Sequence, residues 1–167
     1  MTKKTDLKIK GTTNVLFCGT GGQGVLAAAE ILGWAAIYGG YHVKKSEVHG
    51  MAQRGGSVES HVRFGGRVFS PLIPEGRVDF LVSFLKDESI RMKHSMAVKG
   101  VDLTDDLDKA NGALSEKRYL NSYLLGVLSR YLTIRTENWF AAIDHVFFNK
   151  NPQGNKDAFL QGRGDAK

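Results

Sequence analysis

Two glycine-rich stretches carry the residues of this chain that are best suited to bind a ligand. The first, Gly19-Thr20-Gly21-Gly22-Gln23-Gly24, follows a short apolar run and precedes a long apolar segment. This spacing is typical of a strand-to-helix turn. The first glycine permits a sharp turn, the second lets the backbone approach a ligand, and the third lets the helix pack on the strand. The N–H groups and positive dipole of the helix start favour a phosphate or carboxylate there, but glycines kept only for a tight turn fit equally well.

The second stretch runs from Ser46 to Ser57 and adds charged side chains to its glycines. Arg54 and the backbone after it could bind an anion, whereas an ion pair between Arg54 and Glu47 would only close the loop. Two such loops in one small chain suggest a single site. The candidate ligand-binding residues are Gly19, Gly21, Gly22, Gln23, Gly24, Glu47, His49, Gln53, Arg54, Gly55 and Gly56, and no residue is assigned to catalysis.

Other chemistries find little support in the residue types. Glu47 lies near the distance from Gly24 at which a dinucleotide-binding fold carries the acid for a ribose hydroxyl, but beyond the predicted second strand, which argues against ordinary NAD binding. A single cysteine, Cys18, excludes a disulfide framework and a cysteine-held zinc or iron–sulfur site. It has no evident base partner, so a small buried residue is the better interpretation. The five histidines lack metal-ligand spacing, and no metal site is predicted.

Composition predicts one globular domain over residues 1–167, with loosely packed ends at 1–13 and 152–167. The chain has 23 basic and 17 acidic residues, a net charge of +6. The basic residues are scattered and do not alternate with aromatic residues, as they often do in nucleic-acid-binding proteins. An anionic ligand or an acidic partner surface therefore explains the positive net charge as well as nucleic acid does. The charged N-terminal segment has no apolar core like that of a signal peptide, and no apolar run approaches membrane-spanning length. We expect a cytoplasmic protein that binds neither nucleic acid nor membrane.

Hydrophobic patterning predicts an α/β fold, a three-layer Rossmann-like domain with a mostly parallel, mixed sheet containing one β-hairpin. The hairpin is predicted at Gly65-Gly66, between the alternating strand before it and a returning strand at 67–70. If the first two strands are neighbours in a right-handed βαβ unit, both glycine stretches emerge at one sheet edge. The segment 101–108 is left unassigned. The predicted strands are 14–18, 41–44, 57–64, 67–70 and 79–84, and the predicted helices are 25–38, 87–94, 119–132 and 136–147, with a helical turn at 157–161.

Longer motifs identify a family. The string from Gly19 to Val25, the string Ser46-Glu-Val-His-Gly-Met-Ala-Gln-Arg-Gly-Gly-Ser-Val58, Ser60-His-Val-Arg63 and the pair Ser70-Pro71 resemble the gamma-type subunit of 2-oxoacid:ferredoxin oxidoreductases. Within that family the chain is most similar to the small (beta) subunit of indolepyruvate ferredoxin oxidoreductases. The glutamine inside the first glycine stretch and the long second string are far more specific than Gly-x-Gly-x-x-Gly. The similarity continues through 74–84 and returns at 119–126.

This resemblance implies a division of labour between subunits. Thiamine diphosphate and the iron–sulfur clusters are expected on a large partner subunit, ferredoxin is the indirect electron acceptor, and CoA is the co-substrate. The chain itself would be a Rossmann-like small subunit, bind none of these cofactors alone and be inactive by itself. The implied reaction is oxidative decarboxylation of a 2-oxoacid, such as indolepyruvate or a related aryl pyruvate, to an acyl-CoA. A free-standing nucleotide-binding oxidoreductase and a non-catalytic assembly module remain as alternatives.

Apolar surface predicts an extensive interface, either with the large subunit or with a second copy of the chain as a homodimer. The segment 25–38 carries one charged residue, Glu30. The C-terminal half contributes aromatic residues that one small sheet could not cover, and we expect them to be exposed. They are Tyr119, Tyr123, Tyr131, Trp139 and Phe140.

Overall fold

The computed structural model describes residues 11–50 and 55–164. In chain order the strands are β1 (Thr12–Thr20), β2 (His42–His49), β3 (Ser57–Gly65), β4 (Val78–Ser83) and β5 (Met96–Asp102). The helices are α1 (Val25–Tyr38), α2 (Lys86–Met92), α3 (Asp106–Ala113), α4 (Leu120–Ser129), α5 (Thr136–Val146) and α6 (Pro152–Arg163). Short 3₁₀ turns at Lys93–Ser95 and Lys117–Tyr119 follow α2 and precede α4.

Helix α1 has the bounds that its apolar pattern predicts. It begins directly after Gly24 and ends at Tyr38, where Gly40 has a φ of +85° and donates its N–H to the Ile37 carbonyl. A left-handed glycine after the last turn is a common helix end. Because α1 packs on the sheet from one side and beside α5 and α4 from the other, its near-absence of charge is explained by burial.

The sheet has the order β2-β3-β1-β4-β5. β1 pairs parallel with β4, and β4 pairs parallel with β5, whereas β3 is antiparallel to both of its neighbours, β1 and β2. Among the described residues, four strands therefore point one way and β3 points the other way. This is the mixed, mostly parallel sheet that the sequence predicts.

The hairpin lies elsewhere than predicted. β2 and β3 form it, paired from His42 opposite Gly65 to His49 opposite Val58, and residues 67–70 form no strand. The reason is that Gly65 already pairs with Thr12 on one side and with His42 on the other, so no edge of β3 is open to a returning strand. The condition that β1 and β2 are neighbours is not met either, because β3 lies between them.

Both faces of the sheet are covered, which gives the three predicted layers. Helices α1, α3, α4 and α5 cover one face, where Phe17 and Val62 belong to a large buried cluster. The opposite layer is thinner, and there the segment between β3 and β4 supplies Ile73 and α2 supplies Met92, which pack with Leu16, Cys18 and Leu81. No described helix has both the length and the apolar character needed to cross a membrane.

Helices α4 and α6 cross with their backbones in contact, an arrangement called here the helix crossing. Their contacts advance together along both helices, from Ser122 with Asn155 to Ser129 with Arg163, so the helices run parallel. A Cβ added at Gly126 would lie 2.0 Å from the Phe159 carbonyl oxygen. Only glycine permits this approach, which leaves room for Cα–H···O contacts between the backbones.

The chain's C-terminal part differs from prediction. The segment 152–167 was expected to be loosely packed with one helical turn, yet α6 spans Pro152–Arg163 and buries Phe159 completely. Trp139 and Tyr123, expected to be exposed, are buried instead, while Tyr131 is half exposed. The unassigned segment 101–108 holds the end of β5 and the start of α3. Most of the predicted N-terminal end, 1–13, lies outside the described residues, although β1 begins at Thr12.

Candidate functional site

The described parts of the two glycine stretches meet at the carboxyl edge of the sheet, as the sequence predicts, but β3 brings them together and not a pairing of β1 with β2. The Gly21 N–H of the first stretch donates to the Gly56 carbonyl of the second at 3.3 Å, and within the second stretch the Gly50 N–H donates to the Ser57 carbonyl at 2.7 Å. Between them lies an open cleft of about 400 Å³, called here the glycine cleft. Its walls are Thr20, Gly21, Gly22, Gly24, Val25, Leu26, Ala27, His49 and Val58.

Gln23 stabilises the first turn from within. Its side-chain Oε1 accepts a hydrogen bond from the Thr20 N–H at 2.8 Å, and its own N–H donates to the Thr20 carbonyl at 3.3 Å. A Cβ on Gly19 would lie 2.7 Å from this Oε1 and 2.9 Å from the Phe84 Cβ. Gly19, the first glycine of the motif, therefore has the packing role that the motif usually gives to its third glycine. Gln23 is a positioning residue for the turn.

The other glycines of the turn differ in what requires them. Gly22 and Gly24 have φ angles of +87° and +90°, a conformation that favours glycine. Gly24 also faces Asn121, whose Nδ2 would lie 3.0 Å from an added Cβ. Gly21 has neither feature, since its φ is not in the left-handed region and no described atom lies within 4 Å of a Cβ built there.

Backbone donors for an anion come from a different set than predicted. The sequence nominates the N–H groups of Gly21, Gly22 and Gln23, but the Gln23 N–H is donated to Thr20 within the turn and the Gly21 N–H is donated to Gly56 of the second stretch. The Gly22 N–H has no acceptor among the described residues. The first intrahelical bond of α1 is from the Ala28 N–H to the Gly24 carbonyl, so the N–H groups of Val25, Leu26 and Ala27 are also free of helix partners. A helix start of this kind favours negative charge.

His49 and Glu47 of the second stretch are neighbours, with His49 Nε2 3.7 Å from Glu47 Oε2. His49 lines the cleft with its side chain about half exposed. Glu47 also contacts Lys45, with Oε1 to Nζ at 3.2 Å, and Lys45 binds Glu30 at 2.5 Å. The hydrogen bond from Lys45 lowers the pKa of Glu30. Glu47 therefore belongs to an ion-pair network on the helix-covered face of the sheet, which argues against a ribose-binding role.

The remaining candidates lie in the loop before β3. Gln53 and Arg54 lie outside the described residues, so their predicted roles stay predictions. Gly55 has a φ of +66°, and Gly56 uses its carbonyl to hold Gly21. The structure thus brings the first turn, His49 and Gly56 together.

A second crevice, which the sequence analysis missed, opens between the ends of β1 and β4. It has a volume of about 440 Å³, and an ion pair from Lys86 Nζ to Asp108 Oδ2, at 2.7 Å, joins two of its walls. Gln23, Asn111 and Lys117 also line it. Connections leave β1 and β4 toward opposite edges of the sheet, and open α/β folds bind ligands at such points. This binding position can be recognised from the order of the strands in the sheet, but not from the spacing of residues in the sequence.

Cys18 is not part of the ligand chemistry. It is fully buried, and burial raises the pKa of its thiol to about 11. Nearby, Arg91 contacts Glu59 at 2.8 Å and Glu88 at 2.7 Å, and Ser57 donates to Glu88. Hydrogen bonds from His61 and then Arg91 lower the pKa of Glu59. These groups tie β3 to α2 beneath the cleft, and the buried cysteine is the packing residue that the sequence predicts.

Comparison with curated proteins finds relatives that match about half of the chain. It is 46% identical over 92 residues to the indolepyruvate oxidoreductase subunit IorB of Pyrococcus horikoshii, covering 55% of this chain and 46% of that protein. The Archaeoglobus fulgidus subunit of the same name is 49% identical over 78 residues, covering 47% of this chain and 38% of that one. The matches thus cover under half the length of these relatives.

Solved structures share the fold over nearly the whole chain. The keto/oxoacid ferredoxin oxidoreductase gamma subunit from Geobacter sulfurreducens superposes with a TM-score of 0.70 at 22% identity, covering 92% of this chain and 98% of that one. The 2-oxoglutarate:ferredoxin oxidoreductase from Magnetococcus marinus, solved with 2-oxoglutarate, coenzyme A and succinyl-CoA bound, gives 0.77 at 17% identity, covering 94% and 31%. At these identities the likeness establishes the architecture.

A family model settles membership. The model described as pyruvate ferredoxin/flavodoxin oxidoreductase matches residues 14–110, more than half of the chain. The matched segment contains both glycine stretches and all strands from β1 to β5 except the first two residues of β1. The chain therefore belongs to the pyruvate ferredoxin/flavodoxin oxidoreductase family.

Proposed function

We propose that this chain is the small subunit of a 2-oxoacid:ferredoxin oxidoreductase that oxidatively decarboxylates indolepyruvate or a related aryl pyruvate to an acyl-CoA. The observation that carries the proposal is that the family match encloses the complete glycine cleft. The aryl substrate follows from the names of the curated relatives. Thiamine diphosphate and the iron–sulfur clusters are assigned to a large partner subunit, which passes electrons to ferredoxin.

Within that complex we assign the glycine cleft to an anionic part of CoA. Support comes from the unpaired N–H groups of Gly22 and of the first turn of α1, which belong to residues that line a cleft of about 400 Å³. Coenzyme A is bound in the Magnetococcus marinus structure, which shares this fold. A nucleotide-binding enzyme acting alone is disfavoured because Glu47, its candidate ribose acid, contacts Lys45. An assembly module differs from our proposal in that its cleft would bind no ligand.

The subunit proposal is tested by reconstitution with a large subunit that carries the thiamine diphosphate and iron–sulfur sites. Dye-linked oxidation of indolepyruvate should require both chains and CoA, and the small chain alone, supplied with thiamine diphosphate and CoA, should be inactive. Robust turnover by the small chain alone would reject the subunit role. A complex that forms but oxidises only non-aryl 2-oxoacids would reject the aryl substrate and keep the subunit role.

Arg54 tests the ligand role of the second stretch. A hydrogen bond to a charged group contributes about 1.5–3 kcal/mol, so Arg54→Ala should raise the KM for CoA of the complex by the corresponding factor and leave the melting temperature unchanged. Arg77→Ala is the matched control, since Arg77 is exposed and precedes β4 at the opposite edge of the sheet. An unchanged KM together with a lowered melting temperature would show that Arg54 only closes its loop.

A further inference from the structure

Strand β2 is an open edge of the sheet. It pairs with β3 along all of its residues from His42 to His49, and no strand of the described chain lies on its other side. An edge of this length presents a row of backbone N–H and C=O groups that can pair with another strand. The strand is therefore a ready surface for adding a second sheet.

We propose that a second copy of this chain pairs antiparallel with β2 about a twofold axis at Ser46, which joins two five-stranded sheets into one continuous sheet. The inference rests on the edge strand and not on the proposed reaction. It specifies both the partner and the residue on the axis.

Symmetry limits the register of such a pairing. Directly opposed residues in an antiparallel pair share a face of the sheet, so a twofold axis perpendicular to the sheet must place one residue opposite its own copy. An axis at Lys45 would oppose two lysines, and an axis at Glu47 would oppose two glutamates. An axis at Ser46 places Lys45 of each copy opposite Glu47 of the other, which is the favourable arrangement of charge.

The conformation of these side chains suits that register. Lys45 pairs on β3 with Val62, which lies in the helix-covered core, and Glu47 lies on the same face two residues along. Their Nζ and Oε1 atoms are 3.2 Å apart, and both side chains keep about a third of their surface exposed. Across the axis, two lysines and two glutamates would alternate in sign. Edge lysines often block pairing, but here Glu30 and Glu47 already balance the charge of Lys45.

An apolar groove runs beside the same edge, between α1 and β2. It has a volume of about 200 Å³ and is lined by Gly33, Trp34, Ile37 and Val43, with Glu30 and Lys45. No described atom lies within 4 Å of a Cβ built on Gly33, so the chain itself gives no packing reason for a glycine inside this helix. Ile37 and Tyr38 are 47% and 42% exposed. A second copy joined at β2 would cover this surface.

Charge reversal tests the register. The wild-type chain should be a dimer by light scattering at micromolar concentration, and Lys45→Glu should convert it to a monomer because four carboxylates would then surround the axis. Glu47→Lys should do the same. The double variant Lys45→Glu/Glu47→Lys should restore the dimer, since the opposed pairs regain opposite charge. Circular dichroism checks that each variant is folded.

A cysteine pair tests the axis without changing a charge. In the proposed register the Cα atoms of the two Ser46 residues lie about 4.5–5.5 Å apart, within the range of about 4.4–6.8 Å that a disulfide needs. Ser46→Cys should therefore give a disulfide-linked dimer on mild oxidation. Lys44→Cys is the matched control on the same face, because its two copies would lie more than about 10 Å apart. Cys18 is buried and should not react.

Three results would overturn the proposal. The first is a wild-type monomer across the micromolar range. The second is a dimer that neither charge reversal nor Ser46→Cys affects, which would place the interface elsewhere. The third is a Ser46→Cys chain that links to the large subunit in the complex and never to itself, which would assign the edge to that subunit.

Discussion

The helix crossing and the glycine cleft both depend on glycine, but for opposite reasons. At the crossing, a Cβ on Gly126 or Gly162 would lie 2.0 Å from the carbonyl oxygen of Phe159 or Tyr123. At the cleft, no described atom lies within 4 Å of a Cβ on Gly21 or Gly22. The crossing glycines are thus required by contacts within the chain, whereas Gly21 is surrounded by space.

This contrast separates structural from functional glycines. Gly22 has a positive φ, which explains it without a ligand. Gly21 has no such backbone requirement and no close neighbour, so nothing in the described chain demands a glycine there. A ligand that approaches the backbone at Gly21 would supply the missing reason, as our assignment of the cleft to CoA requires.

The largest expected effect comes from filling the crossing. Gly126→Ala places a methyl group against the Phe159 carbonyl, so α4 and α6 must separate and lose their packing. Overpacking of this kind costs about 1–3 kcal/mol or more. Urea unfolding followed by the fluorescence of Trp139, which packs against Phe159, measures the loss.

Gly112→Ala is the control for this substitution. Gly112 lies in α3 with no described atom within 4 Å of an added Cβ, and alanine favours a helix over glycine by about 1 kcal/mol. The control should therefore be neutral or stabilising. Equal stability of Gly126→Ala and wild type would mean that the helices do not touch through their backbones.

A smaller loss is expected at the cleft's helix start. Gly24→Ala forces a non-glycine residue into a left-handed φ of +90°, which costs about 1–2 kcal/mol, and crowds Asn121 at 3.0 Å. Thermal unfolding measures the change. Gly24→Asn is the informative second variant, since asparagine tolerates left-handed backbone better and should lose less stability. A loss equal to that of alanine would assign the effect to the contact with Asn121.

Lowering the pH should destabilise β2 and β3, which border the glycine cleft, at a higher pH than it destabilises the helix crossing of α4 and α6. The pKa values of Glu30 and Glu59 are lowered in the folded state, first by hydrogen bonds from Lys45 and from His61 respectively. The stability that they contribute is present above their unfolded pKa, near 4.5, and is lost as pH falls through the lowered folded pKa. The protection factors of amides in β2 and β3 should therefore fall below pH 4.5, while those in α4 and α6 stay high.

Glu59→Gln sharpens that measurement. It removes a titrating group that Arg91 contacts at 2.8 Å, so the acid-dependent part of the exchange in β3 should shrink. Asp157→Asn is the matched change at the helix crossing, because Asp157 is an exposed residue of α6. It should leave the pH dependence of amide exchange unchanged. If β2 and β3 lose protection at the same pH as α4 and α6, the two regions unfold as one cooperative unit and the prediction is wrong.

The smallest effect on stability is expected at Gly21. Because a Cβ there meets open space and the backbone is not left-handed, Gly21→Ala should change the free energy of unfolding by less than about 0.5 kcal/mol. The KM for CoA of the reconstituted complex should nevertheless rise if the ligand approaches this backbone. An unchanged KM would remove the CoA assignment and would leave Gly21 without a functional reason.

The sequence pattern was sufficient for those elements whose position depends on neighbouring residues along the chain. The apolar run before Gly19 and the single charge in α1 were sufficient to place β1, the turn and both ends of α1. The position of β3 between β1 and β2 was not predictable in this way. The glycine motif indicates the strand before it and the helix after it, but it contains no information about which strands pair with that strand. For the same reason the crevice at Lys86 and Asp108 was missed.

Helix α6 shows a second limit of sequence patterns. Its segment is mostly polar, with Phe159 among few apolar residues, so hydrophobic periodicity predicts only one helical turn. The helix packs instead through Gly162 and Gly126, which bring backbone against backbone and leave no apolar stripe to detect. At the site, spacing placed Gln23 correctly in the turn, but it could not show that its side chain folds back onto Thr20.

The insertion of β3 beside β1 has a consequence for how the molecule forms. β2 and β3 are joined by a short loop and can pair early, whereas the pairing of β1 with β3 links Thr12 to Gly65 and must close most of the intervening chain. We therefore expect docking of this hairpin to be the later, slower event, after which His49 and Val58 form their wall of the cleft. A molecule bound against both walls would hold the docked hairpin in place and slow its departure.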